Sequence, residues 1–162
     1  MKKYKCSTIV PKVFYNYDFS GINLDIGAGK YMKATSVLAS KSVYNLRYDP
    51  YLLPTTHNQE ILIEIETTKL DSITVNNVLN VIEFEERIKI YEWVSRLQKR
   101  DGCIIYFQIY EGDKSGIKDD KQNNQTSEYY KEEMKEYIKT IREDNILVSV
   151  SPNLIKDGSV HY

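Results

Sequence analysis

Apolar and polar positions along this chain change their spacing several times, and each change marks a predicted element. Ile22-Asn23-Leu24-Asp25-Ile26 is a short, largely apolar strand, and residues 30–40 read as the helix that follows it. Ser42 opens a second strand-like run that ends at Asp49-Pro50, where proline stops the pattern. His57-Asn58-Gln59-Glu60 leads into Ile61, Leu62 and Ile65 at helical spacing, which predicts a helix over residues 57–69. Residues 72–78 read as another strand. Residues 83–100 read as a long helix with Phe84, Ile88, Tyr91, Val94 and Leu97 on one face. Its basic end, Lys99-Arg100, suits the helix dipole, and Asp101-Gly102 stops it. The apolar run over residues 103–110 reads as a central or near-central strand. Residues 126–144 resume helical spacing through Tyr130, Met134, Tyr137, Ile138 and Ile141, a stripe read as core packing, and residues 146–150 and 154–162 read as one or two closing strands. Strands alternating with helices predict an α/β fold on a mostly parallel sheet. Residues 114–125 are charged and lack apolar periodicity, which predicts a mobile loop on the ligand side of that sheet.

Length and charge narrow the class. A chain of 162 residues makes one domain that buries roughly two-thirds of its unfolded surface. The net charge of −1 gives no strong global field toward nucleic acid or membrane, and leaves a local basic patch open. Cys6 and Cys103 share no CxxC spacing, which argues for reduced thiols and against zinc. No apolar run reaches the length of a membrane span, and the start Met1-Lys2-Lys3-Tyr4-Lys5-Cys6 lacks a signal-peptide core, so a cytoplasmic protein without membrane partners is expected.

The candidate chemistry begins where the first strand ends. Asn23-Leu24-Asp25-Ile26-Gly27-Ala28-Gly29-Lys30 carries an acid and two glycines between strand and helix. Glycines there let the backbone approach a ligand. Asp49 lies twenty residues past Gly29, at the end of the second strand, where a βαβ nucleotide site places the acid that reads a ribose. A dinucleotide fingerprint wants a third small residue after the second glycine, but Met32 occupies that position beside Tyr31. Asp25 would repel a phosphate and favour an ammonium or sulfonium. Both features point to S-adenosylmethionine. For the glycines alone, a tight structural turn is the alternative.

Further segments extend that reading. Residues 24–30, Tyr48-Asp49-Pro50-Tyr51 with His57-Asn58, Asn76-Asn77-Val78-Leu79-Asn80-Val81-Ile82, and Tyr110-Glu111-Gly112-Asp113-Lys114-Ser115-Gly116 follow one another in this order. In them the chain resembles the class I S-adenosylmethionine-dependent methyltransferases, and more narrowly the small methyltransferase-like proteins carried by bacteriophages and plasmids. The resemblance implies a Rossmann-like, seven-stranded, mostly parallel sheet with an antiparallel edge hairpin. It also implies methyl transfer in the host cytoplasm to a nucleotide, nucleic acid, protein or small molecule. The chain departs from the pattern between Pro50 and Ser72, where about twenty residues stand in for a helix, a strand and a second helix. The third strand is therefore expected to be very short or absent. The acid-bearing loop that holds adenine goes with it, leaving Glu64, Glu66 and Asp71 as the nearby acids.

By the resemblance, Asp25, Gly27 and Gly29 would hold the methionine end of the cofactor and Asp49 its ribose, with Asn76 and Asn77 as further contacts. Asn80, Glu111 and Asp113 would face the substrate. His57 is the candidate general base, as one of two histidines in the chain. Each also has a structural reading: Asn77 and Asn80 as a turn that caps the following helix, His57 as a helix-start residue, and Glu111 and Asp113 as a solvated turn with Lys114. No prolines follow the asparagines, so the motif of nucleic-acid amino-methyltransferases is not matched. Two functions stay open: an active methyltransferase, or an S-adenosylmethionine-binding or host-interaction protein without transfer activity.

Overall fold

The computed structural model describes residues 9–112, 116–117 and 123–150 of the chain. Its elements, in chain order, are α1 (Val13–Asn16), β1 (Ile22–Ile26), α2 (Lys33–Ser40), β2 (Tyr44–Tyr48), α3 (Thr55–Thr67), β3 (Ser72–Asn76), a 3₁₀ turn (Leu79–Val81) and α4 (Phe84–Asp101). They continue as β4 (Ile104–Gln108), β5 (Gly116–Ile117), β6 (Asn123–Asn124), α5 (Ser127–Met134), β7 (Thr140–Glu143) and β8 (Ile146–Ser149). Six strands form one sheet in the order β2-β1-β3-β4-β8-β7, and β5 pairs with β6 apart from it. The first four are parallel, whereas β8 runs antiparallel to both β4 and β7. The fold is therefore α/β on a mostly parallel sheet with an antiparallel edge hairpin.

Between Asp49 and Ser72 the chain forms α3 and no strand, so β2 is a sheet edge. The sheet lacks the strand that the short segment left no room for. α3 covers this edge, and its His57 Nε2 lies 2.7 Å from the Arg47 carbonyl oxygen.

One expectation fails. Residues 126–144 are not one helix: α5 stops at Met134, and Thr140–Glu143 is a strand paired with β8 across the tight turn at Asp144, whose φ is +57°. Tyr130, Met134 and Ile138 are buried as the helical stripe predicts, but Ile141 is 59% exposed. Strand pairing between Thr140 and Ser149 decides the matter, and a local helical period cannot register a partner nine residues away. The other elements match to within a few residues, except that α1, the 3₁₀ turn and the β5–β6 pair inside the expected loop are not predicted by the sequence pattern, and α2 begins at Lys33 rather than Lys30. Residues 154–162, and all of 114–125 apart from β5, β6 and Gln125, lie outside the described residues.

Side chains alternate across the sheet and meet two unlike layers. Leu24, Ile26, Leu46, Ile73, Val75, Ile105 and Phe107 point into the larger core against Ile61 and Ile65 of α3, Tyr91, Val94 and Leu97 of α4, and Tyr130 and Met134 of α5. The opposite face meets α1 and α2 through a smaller cluster of Val13, Phe14, Leu38, Tyr106 and Ile146. Within the larger layer, Arg87 forms a bidentate pair with Glu133 (2.7 and 2.9 Å), and Glu133 also accepts from the Tyr91 hydroxyl at 2.6 Å. That pair ties α4 to α5. Cys103 is buried in the same core, where burial pushes its thiol up to about 12. Among the described residues, no helix is long and apolar enough to cross a membrane.

Candidate functional site

The strand order reverses between β1 and β3, and the site forms where those two strands end. In an open α/β sheet, chains leaving to opposite sides open a crevice at this point. β1 runs into Gly27 (φ +76°) and Gly29 (φ +73°), conformations that favour glycine. A Cβ at Gly27 would stand 2.3 Å from Val78 Cγ2, so the turn after β1 and the turn after β3 approach each other only because Gly27 has no side chain.

Asp49 fastens this turn to the end of β2. Its Oδ2 accepts from the Gly29 N–H (3.0 Å), and its Oδ1 accepts from the Tyr51 and Leu52 N–H groups (3.0 and 3.1 Å). A carboxylate has about four acceptor positions, so one is left for a ligand. Asn58 clamps the backbone behind it, accepting from the Asp49 N–H and donating to the Asp49 carbonyl, both at 3.0 Å. Arg47 Nη2 donates to the Gly29 carbonyl at 3.0 Å. Asp49 therefore builds the turn as well as lining the space in front of it.

That space is a cavity of about 180 Å³ whose walls include Asp25, Gly27, Gly29, Asp49, Asn76 and Asn77, together with Tyr31, Lys33 and Tyr51. All six residues assigned to the cofactor from the sequence thus meet in one place. Asp25 and Asn76 are both buried, at 4% and 8% exposure. Among the described residues, neither Nδ2 nor Oδ1 of Asn76 has a hydrogen-bond partner. Buried amides are ordinarily satisfied, so an idle donor and acceptor in a cavity wall mark a place for a ligand's polar groups. Burial pushes the Asp25 carboxyl up to about 7 against the opposing hydrogen bonds of Thr74 and Asn45 and the charge of Arg47. Thr74 Oγ1 donates to Asp25 Oδ1 at 3.0 Å.

A second cavity of about 250 Å³ adjoins the first, sharing Gly27, Asp49, Tyr51, Val78 and Ile82. Its other walls are Ile26, Tyr48 and Pro50 with Glu86, Lys89, Ile90 and Trp93 of α4. Trp93 stands edge-on to Tyr48, with ring centroids 5.2 Å apart. The Tyr51 hydroxyl bonds to Glu86 and bridges the two sides of the shared mouth.

The remaining candidates lie elsewhere. His57, held to the carbonyl of Arg47, lines neither cavity. Asn80 is buried in the 3₁₀ turn without lining either one. Its Oδ1 has no partner among the described residues. The cap of α4 is Glu83, in a capping box with Glu86, so neither Asn77 nor Asn80 caps that helix. Asn77 adopts φ +59° as the turn residue after β3, and its N–H donates to the Gln108 carbonyl at 2.8 Å. Glu111 Oε2 accepts from the Ser127 N–H at the start of α5 (2.7 Å). Asp113 lies outside the described residues. Asp71 precedes β3 and accepts from the Ile22 N–H at 2.9 Å, which places it at the end of the sheet opposite the cavities. Glu64 and Glu66 line neither cavity.

Reasoning from the sequence missed Asn58, Tyr51, Lys33 and Trp93. Of these, only Tyr51 and Asn58 sat in quoted motifs, and neither had a chemical reason to stand out before the fold placed Asp49 beside them. No protein-family model, curated protein or solved structure matches this chain.

Proposed function

We propose that the chain is an S-adenosylmethionine-dependent methyltransferase of the small phage- and plasmid-borne kind that it resembles. The observation that carries this reading is the meeting of Asp25, Gly27, Gly29, Asp49, Asn76 and Asn77 around one cavity at the switch point of the sheet. The donor set fits the group. Asp25 and the idle amide of Asn76 suit an ammonium and a carboxylate, which are the polar ends of an amino acid. The free acceptor position of Asp49, on the border of both cavities, suits a sugar hydroxyl. Ile26, Ile90 and Trp93 of the second cavity suit a flat base.

S-adenosylmethionine held by Asp25, Asn76 and Asp49 would supply an electrophilic methyl carbon to an acceptor lone pair, with sulfur as the leaving group and water taking the acceptor's proton. The chain's contribution is alignment. The Gly27 turn, held by Asp49 and Arg47, fixes the floor, and the walls from β3 fix the approach, which accounts for much of the rate in a displacement of this kind.

A second reading, binding without transfer, is favoured by the missing strand after Asp49 and by the absence of His57 from the walls of both cavities. Calorimetric titration with S-adenosylhomocysteine, alongside a nicotinamide dinucleotide, tests the shared premise. Saturable binding of the first and not of the second is expected, with a change in the fluorescence of Trp93, the chain's single tryptophan. Tighter binding of the dinucleotide would overturn the reading. Transfer of labelled methyl to host-lysate fractions separates the two functions, since a protein that binds without transferring labels nothing.

A further inference from the structure

The charge of this chain is unevenly distributed along its length. Residues 1–47 carry eight Lys and Arg against two Asp and Glu, and the rest carries fourteen against twenty-one. From Ile26 to Tyr48 there are four basic residues, Lys30, Lys33, Lys41 and Arg47, and no acid. This stretch builds the glycine turn, α2 and β2, so its lysines fall along the α2 side of the sheet, and Lys30, Lys33 and Lys41 are exposed. Across the cavity mouth, the first turn of α4 carries Glu85 and Glu86 next to the cap Glu83. The α2 rim is therefore basic, whereas α4 is acidic in its first turn and carries Lys89 beyond it.

Exposed aromatic rings accompany the basic rim. Tyr31 is 42% exposed and lines the first cavity, and Lys30 Nζ stands 5.6 Å from its ring centroid. Tyr15 of α1 is 59% exposed, and Lys41 Nζ, just past the end of α2, stands 5.7 Å from its ring centroid while donating to the Phe14 carbonyl at 2.7 Å. Arg47 holds the backbone of the turn at the Gly29 carbonyl, which fixes where Tyr31 projects. Lysines interleaved with exposed rings match a polyanion whose bases stack, because phosphates take the charge and every base offers a π-face. A lipid surface would favour a long amphipathic helix, whereas α1 on this side has four residues.

We propose that the acceptor is a single-stranded nucleic acid lying along the α2 side, with phosphates on Lys30 and Lys41 and a base on Tyr31 at the cavity mouth. That the bound strand is the methyl acceptor rests on the methyltransferase reading; the surface itself does not. The acidic first turn of α4 repels phosphate from the other rim, so the strand has one approach.

The test is fluorescence anisotropy with a labelled mixed-sequence single-stranded oligonucleotide over a salt series. Binding is expected to weaken linearly in log–log form as salt rises. The Lys30→Glu/Lys41→Glu double variant should weaken it at least tenfold and flatten the salt dependence, while calorimetric binding of S-adenosylhomocysteine stays unchanged. Lys99→Glu/Lys131→Glu carries the same charge change on α4 and α5, and should leave oligonucleotide binding near wild type. Equal losses in both double variants, or no oligonucleotide binding by a wild-type protein that binds S-adenosylhomocysteine, would overturn the surface. So would binding to anionic phosphatidylserine vesicles that depends on Lys30 and Lys41 when the oligonucleotide does not bind. Oligonucleotide binding lost only in the Lys30→Glu/Lys41→Glu variant, by a protein that ignores S-adenosylhomocysteine, would keep the surface and sink the methyltransferase reading.

Discussion

The two faces of β1, β2 and β3 are built from alternate residues of the same strands, yet they do opposite work. One face presents Leu24, Ile26, Leu46, Ile73 and Val75 to the larger core. The other presents Asn23, Asp25, Asn45, Ser72, Thr74 and Asn76, all buried as well. Asn23 Nδ2 donates to Asn45 Oδ1 (2.8 Å) and to Thr74 Oγ1 (3.0 Å), Ser72 Oγ donates to Asn23 Oδ1 (2.7 Å), and Asn45 Nδ2 donates to Thr35 Oγ1 of α2 (3.1 Å). The network leads to Asp25 and stops short of Asn76, whose amide is unpartnered among the described residues. Apolar burial stabilises wherever it occurs, but a buried polar group is worth keeping only where its partners are aligned. Apolar burial is concentrated on one face, and the polar groups that could meet a ligand lie on the other.

The largest effect should come from the apolar face. Phe107→Ala removes a fully buried ring that meets Tyr91 with centroids 6.2 Å apart, and should cost about 3–5 kcal/mol in denaturant unfolding. A loss below that of the polar-face variant Thr74→Val would break the division.

Asp25 should give the next largest effect, spread over pH. Its carboxyl titrates near 3.8 when exposed and at about 7 in the fold, so between those values the folded state holds a proton that the unfolded chain has lost. Stability contributed by this group is therefore full below 3.8, falls as pH rises toward 7 and is level above it. The slope is about 1.4 kcal/mol per pH unit for one group. Comparing wild type with Asp25→Asn across this range isolates the slope, and parallel curves would remove Asp25 from the account. A ligand ammonium has the reverse dependence. Affinity for S-adenosylhomocysteine should rise about tenfold per pH unit up to 7 and then level off, in wild type alone.

Thr74→Val keeps the shape of the side chain while removing a donor to Asp25 and an acceptor for Asn23. A loss of about 1–3 kcal/mol is expected. The Asp25 titration should also move to higher pH, because the hydrogen bond that favours the ionised form is gone. The pH midpoint of ligand binding reads this directly, and an unmoved midpoint would mean that Thr74 only packs.

The smallest effect should have the opposite sign. Asn76→Leu replaces an amide without partners by an apolar side chain of similar size, and should leave the free protein as stable or about 1 kcal/mol more stable. Ligand affinity should fall at the same time. A destabilised variant with normal affinity would make Asn76 part of the packing instead.

Much of this molecule was determined locally. The strand ending in Asp25-Ile26, the glycines that follow, Asp49 closing the next strand, and α4 with its basic end and Gly102 stop all depend on short-range signals: side-chain period, a proline, a positive φ that glycine adopts without strain. Even the missing strand was legible, because about twenty residues cannot hold two helices and a strand with their loops. Tertiary structure decided what depends on partners distant in the chain. Residues 140–143 have a helical period in the sequence and become β7 only because β8 is there to pair with. His57 carries the right chemistry for a base, and the fold spends it on the sheet edge at Arg47. Asp49 reads as a ligand group alone until the turn after β1 brings the Gly29 N–H to its carboxylate, and Trp93 has no reading at all until α4 becomes a cavity wall. Local sequence sets which conformations are cheap for each segment, whereas hydrogen-bond partners and cavity walls are properties of pairs that only the folded chain brings together.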